Sequence, residues 1–167
     1  MGGWIERKHG KKKRYVKLHF AENTETHEVV AMEISTDDVH DVKALPGLVE
    51  GAEGNVRVAR VYGDGAYDSG EVYDLLEGRG IEPVIKPRRN AGLGAGPPAR
   101  RGDVSQIRDL GYEAWARITA YGRRWAVKTS YSTFKRLFGE LSLARSFESI
   151  VRELAGKVAL YNMLVNM

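Results

Sequence analysis

The sequence predicts a mixed α/β fold, a β-sheet covered by helices. Three observations carry this prediction. Strand-like alternation fills the first part of the chain, strand and helix patterns alternate between 56 and 86, and the last third is helical in period. Strands first and helices later, with alternation between them, is the order of layered α/β folds. The 167 residues suit one domain, 1–167, able to bury about two-thirds of its unfolded surface.

Val16, Leu18 and Phe20 alternate with Lys17 and His19, the period of a half-buried strand. Asn23-Thr-Glu-Thr26 reads as a turn and Glu28–Ile34 as a returning strand, so 15–34 is a predicted hairpin. Asp37 and Asp38 are the expected caps of a short helix through Val42, Leu45 and Leu48, despite Pro46. Val56–Tyr62 is a further strand, and it stops abruptly at Gly63-Asp-Gly-Ala-Tyr67. Asp68 and Ser69 then cap a helix that Gly78 and Gly80 close. Ile81–Pro87 is a short strand running into Lys86-Pro-Arg-Arg89, and the Gly/Pro/Ala-rich stretch 90–102 is expected to be a flexible loop. Two helical segments follow, about 104–139 with Gly111 as a candidate break, and 147–166. In the second, Ile150, Val151, Leu154, Val158, Tyr161 and Leu164 recur at helical spacing and form an expected core face.

The absence of cysteine excludes a disulfide-stapled mini-protein and a cysteine-ligated zinc module. No stretch approaches the roughly 18 to 20 apolar residues of a membrane span, and the basic N-terminal run leads into polar sequence rather than an apolar core. A soluble, cytoplasmic domain with no membrane partner is the expectation. The net charge of +4 conceals an asymmetry: +6 over 1–19, −11 over 20–82 and +9 over 83–167. Two basic blocks around an acidic one point to a polyanion touched at chosen surfaces; scattered solvated charge is the competing reading.

Asp64 stands between two glycines at a strand end, where α/β folds place ligands. Ordinary turn chemistry, with the carboxylate bonded to its own backbone, explains a lone Asp equally well. On a continuous helix, Tyr121, Arg124, Lys128 and Lys135 fall within roughly 60° of one another and span about 21 Å. Such a row suits nucleic-acid phosphates, although a solvated face is the commoner fate of charged residues. No Glu or Asp stands at i±4 along the line to neutralise it.

These residues give the chain its likeness. It resembles, over nearly its whole length, the DDE transposases of bacterial and archaeal insertion sequences, whose catalytic domain is ribonuclease H-like. Asp64-Gly-Ala-Tyr67 is similar to the family's second-aspartate motif. Tyr121, Arg124 and Lys135 match its Tyr-x2-Arg-x3-Glu-x6-Lys signature in spacing. Arg7 to His19, Val39-His-Asp41 and Val84-Ile-Lys-Pro-Arg88 are shorter matches. The resemblance implies a ribonuclease H-like mixed sheet flanked by helices, DNA of transposon ends as partner, and nucleoid association. It further implies metal-assisted phosphoryl transfer, in which three carboxylates hold two Mg²⁺ or Mn²⁺ ions about 4 Å apart. Asp64 would be a catalytic metal ligand, Arg124 and Lys135 would position phosphates, and Tyr121 would pack near the same strand.

Two departures qualify the match. The family's first aspartate belongs on a strand upstream of the basic hairpin, whereas this chain starts at Met1-Gly-Gly-Trp4, so the fold is expected to lack its first strand. Gly2–Arg7 is the segment available to replace it; otherwise an open sheet edge would favour dimerisation. The glutamate position is Lys128, an ammonium where a cation should sit. Glu140 would lie about 18 Å further along the helix and about 120° around it, too far to substitute. The expected function is therefore a truncated, catalytically degenerate transposase that keeps DNA affinity. The alternatives are the downstream half of a split or frameshifted transposase, joined to an upstream fragment, and a non-catalytic DNA-binding regulator of transposition.

Overall fold

The computed structural model describes residues 2–7 and 14–167, with side-chain surroundings from Val16 onward. The basic run 8–13 lies outside the described residues. The chain forms two compact units. One comprises the residues up to Val56 together with Ala126–Met167, the other Arg57–Trp125.

The first unit is built on a sheet of β1 (Gly2–Arg7), β2 (Arg14–Glu22), β3 (Val29–Thr36) and the two-residue β6 (Leu141–Ser142), in the order β3-β2-β1-β6. Antiparallel pairing joins β1 to β2 and β2 to β3, with Leu18 opposite Gly3 on one side and Ile34 on the other. Gly2–Arg7 thus supplies a full strand, and β6 pairs parallel with its last two residues, Glu6 and Arg7.

The expected alternation in β2 puts Val16, Leu18 and Phe20 into a core. They meet Tyr131 and Phe134 of α5 (Trp125–Phe138) and Ile150, Leu154, Val158 and Tyr161 of α6 (Phe147–Val165). Phe20 packs on Tyr131 at 4.6 Å and edge-on against Phe134 at 5.2 Å, geometries that aromatic quadrupoles favour. Asn162 pins α6 to the sheet by exchanging two 2.9 Å hydrogen bonds with the Val29 backbone.

The intervening residues of β2 are not simply solvated, as a half-buried strand would have them. His19 is fully buried and its Nε2 meets Ser35 Oγ at 2.9 Å, while Lys17 donates to the Val39 carbonyl at 2.6 Å and pairs with Asp41 at 3.5 Å. Helix α1 (Asp41–Glu53) accounts for this, because Ala44, Leu45, Leu48, Val49 and Ala52 bury its inner face. Gly51 permits the close approach, since a Cβ there would lie 3.1 Å from that of Ala31 on β3. The cap of α1 is His40, not Asp37 or Asp38; Asp38 instead accepts from the Thr36 hydroxyl in the preceding turn.

In the second unit β4 (Arg60–Gly63) and β5 (Glu82–Ile85) pair in parallel, joined through α2 (Gly70–Gly78), which buries Val72, Tyr73 and Leu76. Helix α3 (Pro98–Leu110) starts inside the stretch expected to be a loop, so only 90–97 lies outside regular structure. Pro97 and Pro98 explain the difference: proline breaks helix interiors but is well suited to the first turn, where no N–H is needed. The predicted helix over 104–139 is divided as well. It breaks at Gly111, at φ +83°, resumes as α4 (Tyr112–Ile118), and breaks again at Ala120, left-handed at φ +54°. Tyr121–Arg124 is then a 3-10 turn ahead of α5. Among the described residues no helix is long and apolar enough to cross a membrane.

Candidate functional site

The turn after β4 is shaped by a close approach. A Cβ on Gly63 would lie 3.3 Å from both Ile85 and Tyr67, so β4 ends tight against its neighbours and the chain turns at once. Asp64 caps the 3-10 turn Gly65–Tyr67, its Oδ1 accepting the Ala66 N–H at 3.0 Å. One oxygen is thereby engaged in turn chemistry, and the half-buried carboxylate keeps its other oxygen for a ligand.

Four residues on, Asp68 is the strongest polar anchor of this unit, where the sequence suggests only a helix cap. It is 4% exposed. Arg100 engages it twice, Nε to Oδ1 at 2.6 Å and Nη2 to Oδ2 at 3.0 Å, and the Arg88 N–H adds a bond of 2.7 Å to Oδ2. Burial opposes ionisation of Asp68, but the hydrogen bonds and charges of Arg100 and Arg88 prevail and hold it below the usual carboxylate range. Arg100 also donates to the Ala95 carbonyl at 2.7 Å, tying the 90–97 segment to the same anchor. Only the charge complementarity of Asp68 and Arg100 hints at the pair in sequence, and 32 residues separate them.

Asp103 shows the opposite balance. Burial, chiefly, with Glu82 and Asp68 nearby, pushes it up to about 6, against the one hydrogen bond it accepts from the Trp115 indole at 2.9 Å. Its other oxygen is buried without a partner.

Tyr121 packs with Trp115 and Val84, beside Tyr62 of β4. Its ring centre lies 5.0 Å from that of Trp115, and its buried hydroxyl has no partner. Burial pushes this phenol up to about 12; the Arg124 charge opposes the rise, while Tyr112 and Asp64 add to it. The guanidinium of Arg124 lies 5.2 Å from the ring centres of both Tyr121 and Trp125, a stacking that Arg favours over Lys. Asp64, Tyr121 and Arg124 therefore share one unit, and the Tyr121 phenol feels the charges of both others.

Lys128 and Lys135 belong to the other unit, on α5. The single-helix stripe does not form, because Tyr121 and Arg124 sit on the 3-10 turn and Tyr121 is buried. Lys135 is not left uncompensated either. Helix α5 ends at Phe138, Gly139 adopts φ +72°, and Glu140 folds back to meet the Lys135 ammonium at 2.8 Å. The i±4 rule fails here because it applies within a helix, and the partner stands just past the end of this one.

The model for the transposase DDE domain matches residues 2–163 of the chain. The chain belongs to that family. No solved structure matches it. Family membership carries transposase function in general, a DNA substrate and the use of divalent metal. Among the described residues no group of three His, Asp or Glu stands close enough together to hold an ion. Asp64 supplies one carboxylate; Mg²⁺ in phosphoryl-transfer sites keeps several waters and is held by one or two carboxylates together with substrate phosphates.

Proposed function

We propose that this transposase DDE domain binds DNA but does not by itself cut or join it. The observation that carries the reading is Lys128, an ammonium at the family's glutamate position, with Asp64 the one motif carboxylate among the described residues. Two-metal phosphoryl transfer needs carboxylates on both ions. Replacing one by an ammonium turns attraction into repulsion. A ribonuclease H-like arrangement is the fold we assign to it. The antiparallel β1-β2-β3 meander, and the parallel β4–β5 pair with Asp64 at the end of β4, support that assignment. DNA affinity is supported by the excess of cations after residue 83 and by Arg124, stacked on Tyr121.

With Mg²⁺ or Mn²⁺, the purified protein is expected neither to nick nor to join duplex DNA. Lys128→Glu alone is not expected to restore activity, because it brings the motif carboxylates to two where three are needed. Divalent-dependent cleavage that disappears in Asp64→Ala would refute the reading. Binding to duplex DNA should weaken steeply with salt, as phosphate contacts require.

A further inference from the structure

The segment leaving β5, Lys86-Pro87-Arg88, carries two exposed cations to which the DNA-binding reading gives no individual role. Both are fixed in place, and both are fixed to the Asp64 turn or its aromatic support.

Arg88 is held at two points. Its main-chain N–H donates to buried Asp68 at 2.7 Å, and its guanidinium Nε donates to the Gly65 carbonyl at 3.3 Å. Asp68 is in turn immobilised by Arg100. The Nε bond uses one of the five N–H donors of a guanidinium, so the four on its terminal nitrogens remain for a ligand. Lys86 borders the turn through its main chain: a Cβ on Gly65 would lie 3.5 Å from its carbonyl oxygen. Its ammonium lies 4.6 Å from the ring centre of Tyr112. Tyr112 packs edge-on against Tyr121, with centres 6.4 Å apart, and Tyr121 is the ring beneath Arg124. Lys86, Arg88 and Arg124 are thus anchored to one connected assembly that begins at Asp64.

Holding long cationic side chains in advance lowers the ordering cost that a ligand meets on binding. A guanidinium fork and an ammonium together suit the oxygens of a phosphate, the fork giving geometry and the ammonium a point charge. We infer that Lys86 and Arg88 form a phosphate cradle for the DNA backbone at the Asp64 turn, one that needs no contribution from α5. This rests on the DNA-binding reading above and deepens it by locating backbone contacts within the Arg57–Trp125 unit.

The test is fluorescence anisotropy of a labelled short DNA duplex over a salt series. Wild type would be compared with Lys86→Ala, Arg88→Ala, the double variant, Arg88→Lys and a charge-matched control, Lys43→Ala in α1. The slope of log K against log salt should fall by about 0.9 for each alanine and about 1.8 for the pair. Lys43→Ala should leave the slope unchanged, and Arg88→Lys should keep the slope while binding more weakly. Circular dichroism melts check folding. If Arg88→Ala loosens the turn, Lys86→Ala and Arg88→Lys decide the matter, since Lys86 is exposed and lysine keeps the charge. A steep wild-type slope that the double variant leaves intact overturns the cradle and spares the DNA-binding reading. A wild type that binds no DNA overturns both.

Discussion

On one face of β2, Val16, Leu18 and Phe20 interlock with Tyr131, Phe134, Leu154 and Tyr161 through apolar and ring contacts. Around the Asp64 turn, order comes instead from Asp68 held by Arg100 and Arg88, from Asp103 on the Trp115 indole, and from cations stacked on Tyr112 and Tyr121. Apolar packing is non-directional and tolerates some repacking. Charge-assisted hydrogen bonds fix positions to fractions of an ångström but leave costly remnants when one partner is lost. The contrast separates an apolar scaffold from a region ordered by directional bonds. Directional bonds are what a carboxylate or guanidinium needs if its position is to matter.

The largest loss should come from the scaffold. Phe134, 1% exposed and in ring contact with Phe20, Phe138 and Tyr161, is expected to cost about 3–5 kcal/mol as Phe134→Ala. Denaturant melts should show that loss unchanged between pH 4 and 8, as an apolar cavity requires.

Asp68→Ala should come next, at about 3 kcal/mol near neutral pH, because it strands Arg100 and the Arg88 N–H. Its signature is the pH dependence. A carboxylate held below its ordinary range stabilises the fold above the unfolded value of 3.8, and that stabilisation disappears as pH falls through the lower folded value. The gap between wild type and Asp68→Ala should therefore narrow in acid. A gap that stays constant would make this anchor behave like the apolar core, and the contrast between the two regions would fail.

Asp103 should show the reverse sign. With its carboxyl raised from 3.8 to about 6, wild type loses stability as pH rises across that window. Asp103→Asn still accepts from Trp115 and removes the buried charge. It should be the more stable protein above pH 6 by on the order of 1 kcal/mol after discounting for solvent screening, and near parity at pH 4. Thermal melts at the two pH values check this.

The same contrast explains what can be read in the sequence. The alternation Val16-x-Leu18-x-Phe20 and the helical spacing of Ile150, Leu154, Val158 and Tyr161 are local and periodic, so the scaffold is legible. The glycine-flanked Asp64 at a strand end is legible because its signal is equally local. The anchor that holds its turn is not, because Asp68 and Arg100 are 32 residues apart and follow no period. Ala120 gives no warning of its left-handed backbone, so the 3-10 turn that separates Tyr121 and Arg124 from α5 is invisible in the sequence. Periodicity reports burial on one face of a regular element; it is silent about pairs that tertiary structure brings together.

The smallest effect on stability, and the sharpest test of the α5 cations, lies at Glu140. Its pairing with Lys135 is solvent-exposed, with side-chain exposures of 62% and 35%, so Glu140→Gln should shift stability by less than about 0.5 kcal/mol. DNA binding should respond more. A lysine already neutralised by a carboxylate releases little counterion on meeting a phosphate, whereas an unpaired one contributes close to a full charge. Glu140→Gln should therefore strengthen binding and steepen the salt slope by up to about 0.9. A double-mutant cycle makes the inference specific. Lys135→Ala should cost little affinity beside native Glu140 and distinctly more in the Glu140→Gln background. Equal costs in the two backgrounds would show that Glu140 does not mask Lys135, and negligible costs in both would remove Lys135 from the DNA contacts.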